Sequence, residues 1–567
     1  MRRPTCPANS TGWHPGRRIG PVSPKNVFAL CVVCGVLLGL PGAFGQEEGA
    51  PPSAPEATSE EAAPAEVAEE AVAEEGAPPA TPEATPEEGR PVEGGEAPAE
   101  ATPEEGPPVE GEEAPAEAAP EPSDLEPSEA SLEQWIDDVT HPADWLTWGG
   151  ELRVQQTYQD NAIDFLDEFP DTWNYFRIRA SVWAQAGRFL VAEDAGIDNG
   201  LSGYVRLTAE PRYFTQDDLI ADDPMWDEGI VENLYVDWTR VAGLPVSMRV
   251  GRQDLAYGPP GRWFVVFDGT PLDDSRSIYS DAIKTTIHLD DSVENPNGFD
   301  VDVFYANNDG TQDRIDPINE SHLLVSEFDT KLFGIYAMNR QVAGHEFHGY
   351  YVYKDDDRIG RGWPGGQIVH TVGGLGTGKI GRNWDYYAEL AGQWGKLASR
   401  TRRGLGFSSD LGYTFAEATW TPRVHGGYEY LSGDDPSSRR WEGWDPVLAR
   451  YPHFSWIMAY RYLFEYGLPG YYTNLQRYTA GVSVNPTEKT QVSLDYHFLR
   501  ANERIGPPVF PLGPGLKRGH LVVAGVKHQF TKFIDGALLG EYFHPESFYA
   551  SSSDSAILLR WEVGVKF

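Results

Sequence analysis

The chain has 567 residues, with 86 Asp and Glu against 45 Lys and Arg and a formal charge of −41. So acidic a chain lacks the clustered cations that phosphate neutralisation needs, which excludes a general nucleic-acid binder. Composition also splits it: residues 46–130 contain no Phe, Trp or Tyr, whereas residues 131–567 hold 66 of the 69 aromatics, so only the last part can bury a core or face lipid.

At the start, Arg17, Arg18 and Lys25 precede an apolar stretch from Val27 to Leu40. Those 14 residues are too few to span a bilayer as a helix but suit the core of a signal peptide. Pro41 and Gly42 break the stretch, and Ala43-Phe44-Gly45 offers small residues for cleavage before Gln46, so residues 1–45 read as a signal peptide. Arg17-Arg18 stands too far ahead of the apolar core to suggest twin-arginine export. Cys6, Cys31 and Cys34 all lie in this leader. The C-x-x-C spacing of Cys31 and Cys34 sits inside the apolar run with no second pair and no nearby His, so it is not read as a metal or redox motif.

Residues 46–130 follow as an acidic segment with 26 acids and one Arg. Ala84–Glu100 and Ala101–Glu117 match at 15 of 17 positions. A repeat unit without large apolar side chains has nothing to stack and cannot offset its ordering entropy, so the segment is expected to be disordered. Its plain reading is a solvated spacer. A functional reading makes it an arm that reaches a periplasmic partner or the cell wall. Residues 131–145 form a short lead-in.

From residue 146 to 567 the dominant signal is alternation. Phe176, Ile178, Ala180 and Val182 alternate with Arg177, Arg179 and Ser181. Val205 and Leu207 flank Arg206; Phe299, Val301, Val303 and Tyr305 flank Asp300 and Asp302; Val492, Leu494, Tyr496 and Phe498 flank Ser493, Asp495 and His497. At the end, Ile557, Leu559, Trp561, Val563, Val565 and Phe567 are apolar at every second position. Period 2 places the two sets on opposite faces of a strand. About 18 such segments, separated by Asp, Asn, Gly and Pro clusters, give roughly 23 residues per strand and connection, as expected of ~10-residue membrane strands. With no other apolar run of 18 residues, any membrane crossing falls to strands. The predicted fold is therefore all-β: a transmembrane antiparallel β-barrel of about 18 strands in the outer membrane, preceded by the disordered acidic segment in the periplasm.

Met248-Arg-Val-Gly-Arg-Gln-Asp-Leu-Ala-Tyr-Gly258, then Arg276 and Asp281-Ala-Ile-Lys284, then Tyr430-Leu-Ser-Gly-Asp-Asp435 and Leu494-Asp-Tyr-His-Phe498 occur in this order, with Phe567 terminal. The set resembles the alginate-export family of outer-membrane channels, over about residues 145–567. The resemblance implies an 18-strand barrel with an Arg-rich lumen that passes an acidic polysaccharide. The ending at Trp561, Val563, Val565 and Phe567 likewise resembles the signal read by the barrel assembly machinery. The acidic segment is not part of the family pattern.

Other patterns carry less. Gly373-Gly-Leu-Gly-Thr-Gly-Lys379 approaches a phosphate-binding loop, but Ile380 stands where the hydroxyl should be and the following residues read as a strand, so a glycine-rich barrel turn is expected. His345 and His348 lack the zinc-protease spacing and on a strand point to opposite faces. No serine sits in a nucleophile elbow; His425 and His497 could serve only a spatial pair. The chain is read as having no catalytic residues, no metal site and no cofactor.

The candidate substrate path is a set of cations opposite the apolar faces: Arg153, Arg177, Arg179, Arg206, Arg249 and Lys284. They could form a positive constriction for an anionic saccharide, or simply pair with lumen carboxylates such as Glu151, Asp237 or Glu429. Arg252 breaks the parity after Gly251 and is placed in a bulge or loop. The leading function is export or diffusion of an anionic polysaccharide or anionic sugar. Alternatives are a general porin for small solutes and a barrel anchor that tethers the outer membrane to the cell wall. The expected partners are outer-membrane lipid, the assembly machinery and the saccharide.

Overall fold

The structure, a computed structural model, describes residues 129–567 except 162–164, 167–170, 191–199, 218–227, 259–265, 267–278, 293–294, 310–313, 320–328, 358–364, 450–452, 467–470 and 506–511. The leader, nearly all of the acidic segment and Arg276 lie outside the described residues.

Helix α1, Glu129–Thr140, occupies part of the lead-in, and the indole Nε1 of Trp148 donates to its Val139 carbonyl at 2.7 Å. The strands follow. β1 (Leu146–Asp160), β2 (Trp173–Leu190), β3 (Gly200–Ala209), β4 (Arg212–Asp217), β5 (Gly229–Thr239), β6 (Val246–Asp254) and β7 (Tyr279–Ser292) make the first arc. β8 (Asn295–Asn308), β9 (Thr330–Asn339), β10 (His345–Asp356), β11 (Gln367–Ile380), β12 (Trp384–Leu397), β13 (Arg400–Thr414) and β14 (Arg423–Leu431) continue it. β15 (Leu475–Thr487), β16 (Thr490–Arg500), β17 (Lys517–Gln529), β18 (Ile534–Pro545) and β19 (Ala556–Lys566) complete it.

Neighbours in sequence are neighbours in the sheet, all antiparallel, and β1 pairs with β19 from Glu151↔Lys566 to Asp160↔Ile557, which closes the ring. β3 and β4 lie end to end against β2. Between them stands Pro211, which has no N–H to give the ladder, although its carbonyl still accepts from Ile178 N at 3.1 Å. The ring therefore has 18 staves, as the alternation predicts.

Exposure follows the period. Leu152, Val182, Leu207, Leu390, Leu494, Leu538 and Leu559 are exposed on the outer face, while Gln155, Thr157, Gln159, Arg177, Arg179, Glu429 and Arg560 are buried inside. In β19 the apolar set points outward, with Trp561, Val563, Val565 and Phe567 all exposed and Leu558 and Arg560 buried. Short connections at one end, such as 381–383, 488–489 and 530–533, contrast with 255–278, 309–329, 432–474 and 501–516 at the other. In outer-membrane barrels the short turns face the periplasm.

Two sequence readings are refined here. The glycine-rich stretch at 373–379 is not a turn: it lies within β11, and the turn comes at 381–383. Its glycines make room for neighbours, since a Cβ on Gly373 would lie 2.6 Å from the Tyr350 hydroxyl. Arg252 is not in a bulge or loop: it lies inside β6, whose pairing with β5 and β7 runs through Gly251 and Arg252 without a register shift, and Gly251 has a φ of 130° that L residues rarely adopt.

The last residue takes part in closure. Gly150 N donates to the Phe567 carbonyl and Phe567 N to the Gly150 carbonyl, both at 3.1 Å, and the Phe567 ring meets Trp148 edge-on at 5.8 Å. Phe567→Asp is expected to reduce the heat-modifiable folded band on unboiled gels far more than Lys566→Asp does. Equal losses would contradict the strand parity.

Candidate functional site

The inner face decides function, and it has two unlike regions. At the short-turn end lies a recess of about 760 Å³ whose wall includes Glu151, Arg153, Arg179, Arg206, Glu232 and Asp254. Arg153 stands directly opposite Arg179 on the neighbouring strand. Like charges in that position repel. Carboxylates answer them: Arg153 Nη2 is 2.8 Å from Glu151 Oε1, and Arg179 Nη2 is 3.4 Å from Glu232 Oε2, which also accepts from Thr208 Oγ1 at 2.6 Å.

The remaining sequence-predicted cations stand elsewhere on the inner wall. Arg177 is buried, 3.4 Å from Glu210, which Arg212 approaches at 3.6 Å. Arg249 grips Asp237 with two bonds of 2.7 and 2.9 Å, its guanidinium 3.9 Å over the Tyr235 ring. Tyr235 stacks on Tyr204 and Tyr204 on Trp183, at 5.0 and 6.0 Å. Lys284 Nζ lies 3.5 Å from Asp302. The structure thus gathers Arg153, Arg179 and Arg206 at one recess and places Arg177, Arg249 and Lys284 outside its lining. Among the recess residues, Glu151, Glu232, Asp254, Glu488, Asp535 and Glu562 match Arg153, Arg179, Arg206, Lys489, Lys527 and Lys566 in number, with His528 beside them. The wall is dense in charge and balanced in sign.

The second region is the long connection 432–474, which folds inward against the wall. Its helix α2, Trp456–Tyr466, buries Trp456, Ile457, Met458, Ala459 and Tyr462 in the principal apolar cluster. Ser455 caps it, its Oγ accepting from Met458 N at 3.2 Å. Glu541, on β18, accepts from Ser455 Oγ, Trp456 N and Ile457 N at 2.6, 2.9 and 3.2 Å, so a wall carboxylate meets the positive end of the helix. Glu465, near the other end, holds Arg518 of β17 at 2.7 Å.

Asp445, fully buried in the same connection, ties it to three strands. It accepts from Lys354 at 3.3 Å, Arg402 at 3.2 Å and Gln367 at 2.8 Å. Burial alone would raise its pKa, but Lys354 and Arg402 hold the carboxyl well below the ordinary carboxylate range. Sequence reasoning missed Arg402, Arg477 and Arg518, all buried inside, while Arg560, expected on the wet face of the last strand, is buried there too. The same parity argument finds each of them, since each stands between outward neighbours such as Arg403, Tyr478 and Leu559.

The two histidines considered for catalysis hold structural partners. His425 bridges Asp410 at 2.7 Å and Asp495 at 2.8 Å, and His497 Nδ1 lies 2.9 Å from Thr479 Oγ1. His348 faces inward, in contact with Tyr336, while His345 stacks beside Phe347 on the other face.

Residues 227–505 match the model of the family described as Alginate export. Every motif quoted for that resemblance falls within the matched segment except the terminal Phe567. Solved structures with a similar fold include Pseudomonas aeruginosa OpdQ, at 11% identity and a TM-score of 0.47 over 75% of this chain and 99% of that one. Acinetobacter baumannii OccAB2 has 12% identity and a TM-score of 0.45 over 74% and 98%. Pseudomonas aeruginosa OccK2 (OpdF) in complex with glucuronate has 10% identity and a TM-score of 0.45 over 74% and 98%. No curated protein matches the chain. The chain is a closed antiparallel β-barrel with an apolar outer face, the architecture of outer-membrane barrels.

Asp445→Asn leaves Arg402 buried without its carboxylate, a loss of about 3–5 kcal/mol for a broken buried pair, whereas Lys354 keeps Asp356 at 3.0 Å. The barrel band on unboiled gels should persist. Single-channel traces should become noisier with larger sub-states, and residues 432–474 should become sensitive to protease. Unchanged traces and protease resistance would show that the connection is held without Asp445.

Proposed function

We propose that this protein is an outer-membrane channel for export or diffusion of an anionic polysaccharide or anionic sugar, with Arg153, Arg179 and Arg206 forming the charged entry at the periplasmic end. The match of residues 227–505 to the alginate-export family carries this reading. Its physical support is the opposed pair Arg153 and Arg179, which sets two guanidinium groups side by side on the inner wall. Carboxylates beside a guanidinium position its donors, and a passing uronate can exchange with them one hydrogen bond at a time. Arg177, Arg249 and Lys284 then act further along the wall. In the same reading residues 1–45 are the export leader, residues 46–130 a periplasmic spacer, and Trp561, Val563, Val565 and Phe567 the assembly signal.

A general porin for small solutes is the second reading. The equal number of acids and bases around the recess favours it, because a balanced wall does not select strongly by sign.

Reversal potentials across planar bilayers separate the two. Removing one wall cation costs a nearby anion about 0.5–1 kcal/mol at an effective dielectric near 20, or about two- to fivefold in permeability ratio. Arg153→Ala should shift selectivity toward cations by that amount, Arg153→Ala with Arg206→Ala by about twice that free energy, and the double variant should weaken block by an oligouronate. The shift should fade at high salt. An unchanged ratio and unchanged block would move the general porin ahead.

A further inference from the structure

The outer face carries an interaction surface of its own. Ring contacts run from strand to strand around part of the wall: Phe407 to Tyr428, Tyr478, Phe498 and His520, with centroids 5.0–6.1 Å apart. A shorter run joins Tyr351, His370 and Trp394 at 6.2 and 5.4 Å. Such aromatic girdles mark the level of the lipid headgroups.

Toward the long-connection end of this girdle stand cations. On β12 the outward order is Leu390, Trp394, Lys396; on β16 it is Leu494, Tyr496, Phe498, Arg500. Arg403 of β13 stands directly opposite Trp394, and so diagonal to Lys396, which faces Thr401. Diagonal cross-strand neighbours lie ~7–8 Å apart. Arg500 stands directly opposite Lys517. Each outward assignment follows from a buried inward neighbour: Leu397 beside Lys396, Arg402 beside Arg403, Leu499 beside Arg500 and Arg518 beside Lys517.

Lys396, Arg403 and Arg500 have no carboxylate partner among the described residues. Lys517 shares Glu546, at 3.6 Å, with His520. Four cations in two like-charged pairs, above an aromatic belt, with Glu546 beside only one of them, keep a net demand for anions that the described residues do not meet. We propose that this face, on β12–β17, binds phosphate-bearing lipid headgroups of the outer leaflet, one anionic group at Lys396 and Arg403 and another at Arg500 and Lys517. Charge complementarity and continuity with the lipid-facing belt both point to a lipid, and the surface is independent of what passes through the lumen.

The test uses the full-length protein and native mass spectrometry with a bisphosphorylated glycolipid and its dephosphorylated form. The wild type should retain the phosphorylated lipid and bind the other far less. Lys396→Gln with Arg403→Gln and Arg500→Gln should lose about tenfold or more in affinity, whereas Lys396→Arg with Arg403→Lys should keep it. Equal retention of the two lipids by the wild type would overturn the proposal. So would a triple variant that binds as the wild type does, or displacement of the lipid by millimolar inorganic phosphate. If the triple variant does not fold, the comparison of the two lipids on the wild type decides alone.

Discussion

A peptide N–H or C=O left unpaired in hydrocarbon costs several kcal/mol, and this constraint orders everything else in the molecule. A sheet can meet it only by closing. Closure here is the pairing of β1 with β19, extended to the last residue by the reciprocal bonds of Gly150 and Phe567. Once the ring is shut, its inside and outside are fixed for every stave, because a slip of one residue would turn each apolar set inward. At Arg252 burial departs from the period although the ladder keeps its register: the side chain is buried and reaches Asp281 and the Val231 carbonyl, beside Gly251 with its positive φ.

A closed ring then has to do something with its inner face. The wall of this one is crowded with arginines and carboxylates, and a charge in a confined space needs a partner close by. Two solutions coexist. Near the short turns the wall pairs with itself, as in Arg153 with Glu151 and Arg249 with Asp237. Toward the long connections the wall pairs with residues 432–474, which bring Asp445 to Arg402 and Glu465 to Arg518 and receive Glu541 at the start of α2. The first arrangement leaves a recess where a solute could meet charged side chains. The second fills space with a packed apolar cluster pinned by buried ion pairs. The inward connection can therefore shape the passage without interrupting the ring that the membrane requires.

How much of this was legible in the sequence follows from which constraints are local. Alternation is enforced residue by residue by lipid on one side, so the strands, the stave number and the outward set of β19 could be read directly. The inward direction of Arg177, Arg179 and Arg249 came from the same parity. Their division between the recess and the rest of the wall did not, because it depends on carboxylates from other parts of the chain, Glu210 for Arg177, Glu232 for Arg179 and Asp237 for Arg249. Trp456-Ile-Met-Ala-Tyr is apolar without period 2, and nothing in its own sequence says that Glu541, some 85 residues later, caps it. The glycines of β11 misled for a related reason. Glycine is a turn signal when judged by its own conformational freedom, but Gly373 is required by the Tyr350 side chain of the preceding strand, which stands directly opposite.

Several cations on the two faces differ in where their counter-charge comes from, and the difference has a single cause. Inside, Arg153, Arg179, Arg249, Arg402 and Arg518 each have a carboxylate within 4 Å. A lumen narrowed by protein cannot hydrate them fully, so the chain supplies their counter-charges itself. Outside, Lys396, Arg403 and Arg500 stand at the edge of the apolar belt, where long side chains can lay their stems on Trp394 and Phe498 and lift their charged ends into the headgroup layer. There the counter-charge can come from the membrane, and a built-in carboxylate would only compete with it. A barrel that pairs its cations where the surroundings are protein and leaves them open where the surroundings are lipid uses its charges for cohesion on one face and for attachment on the other.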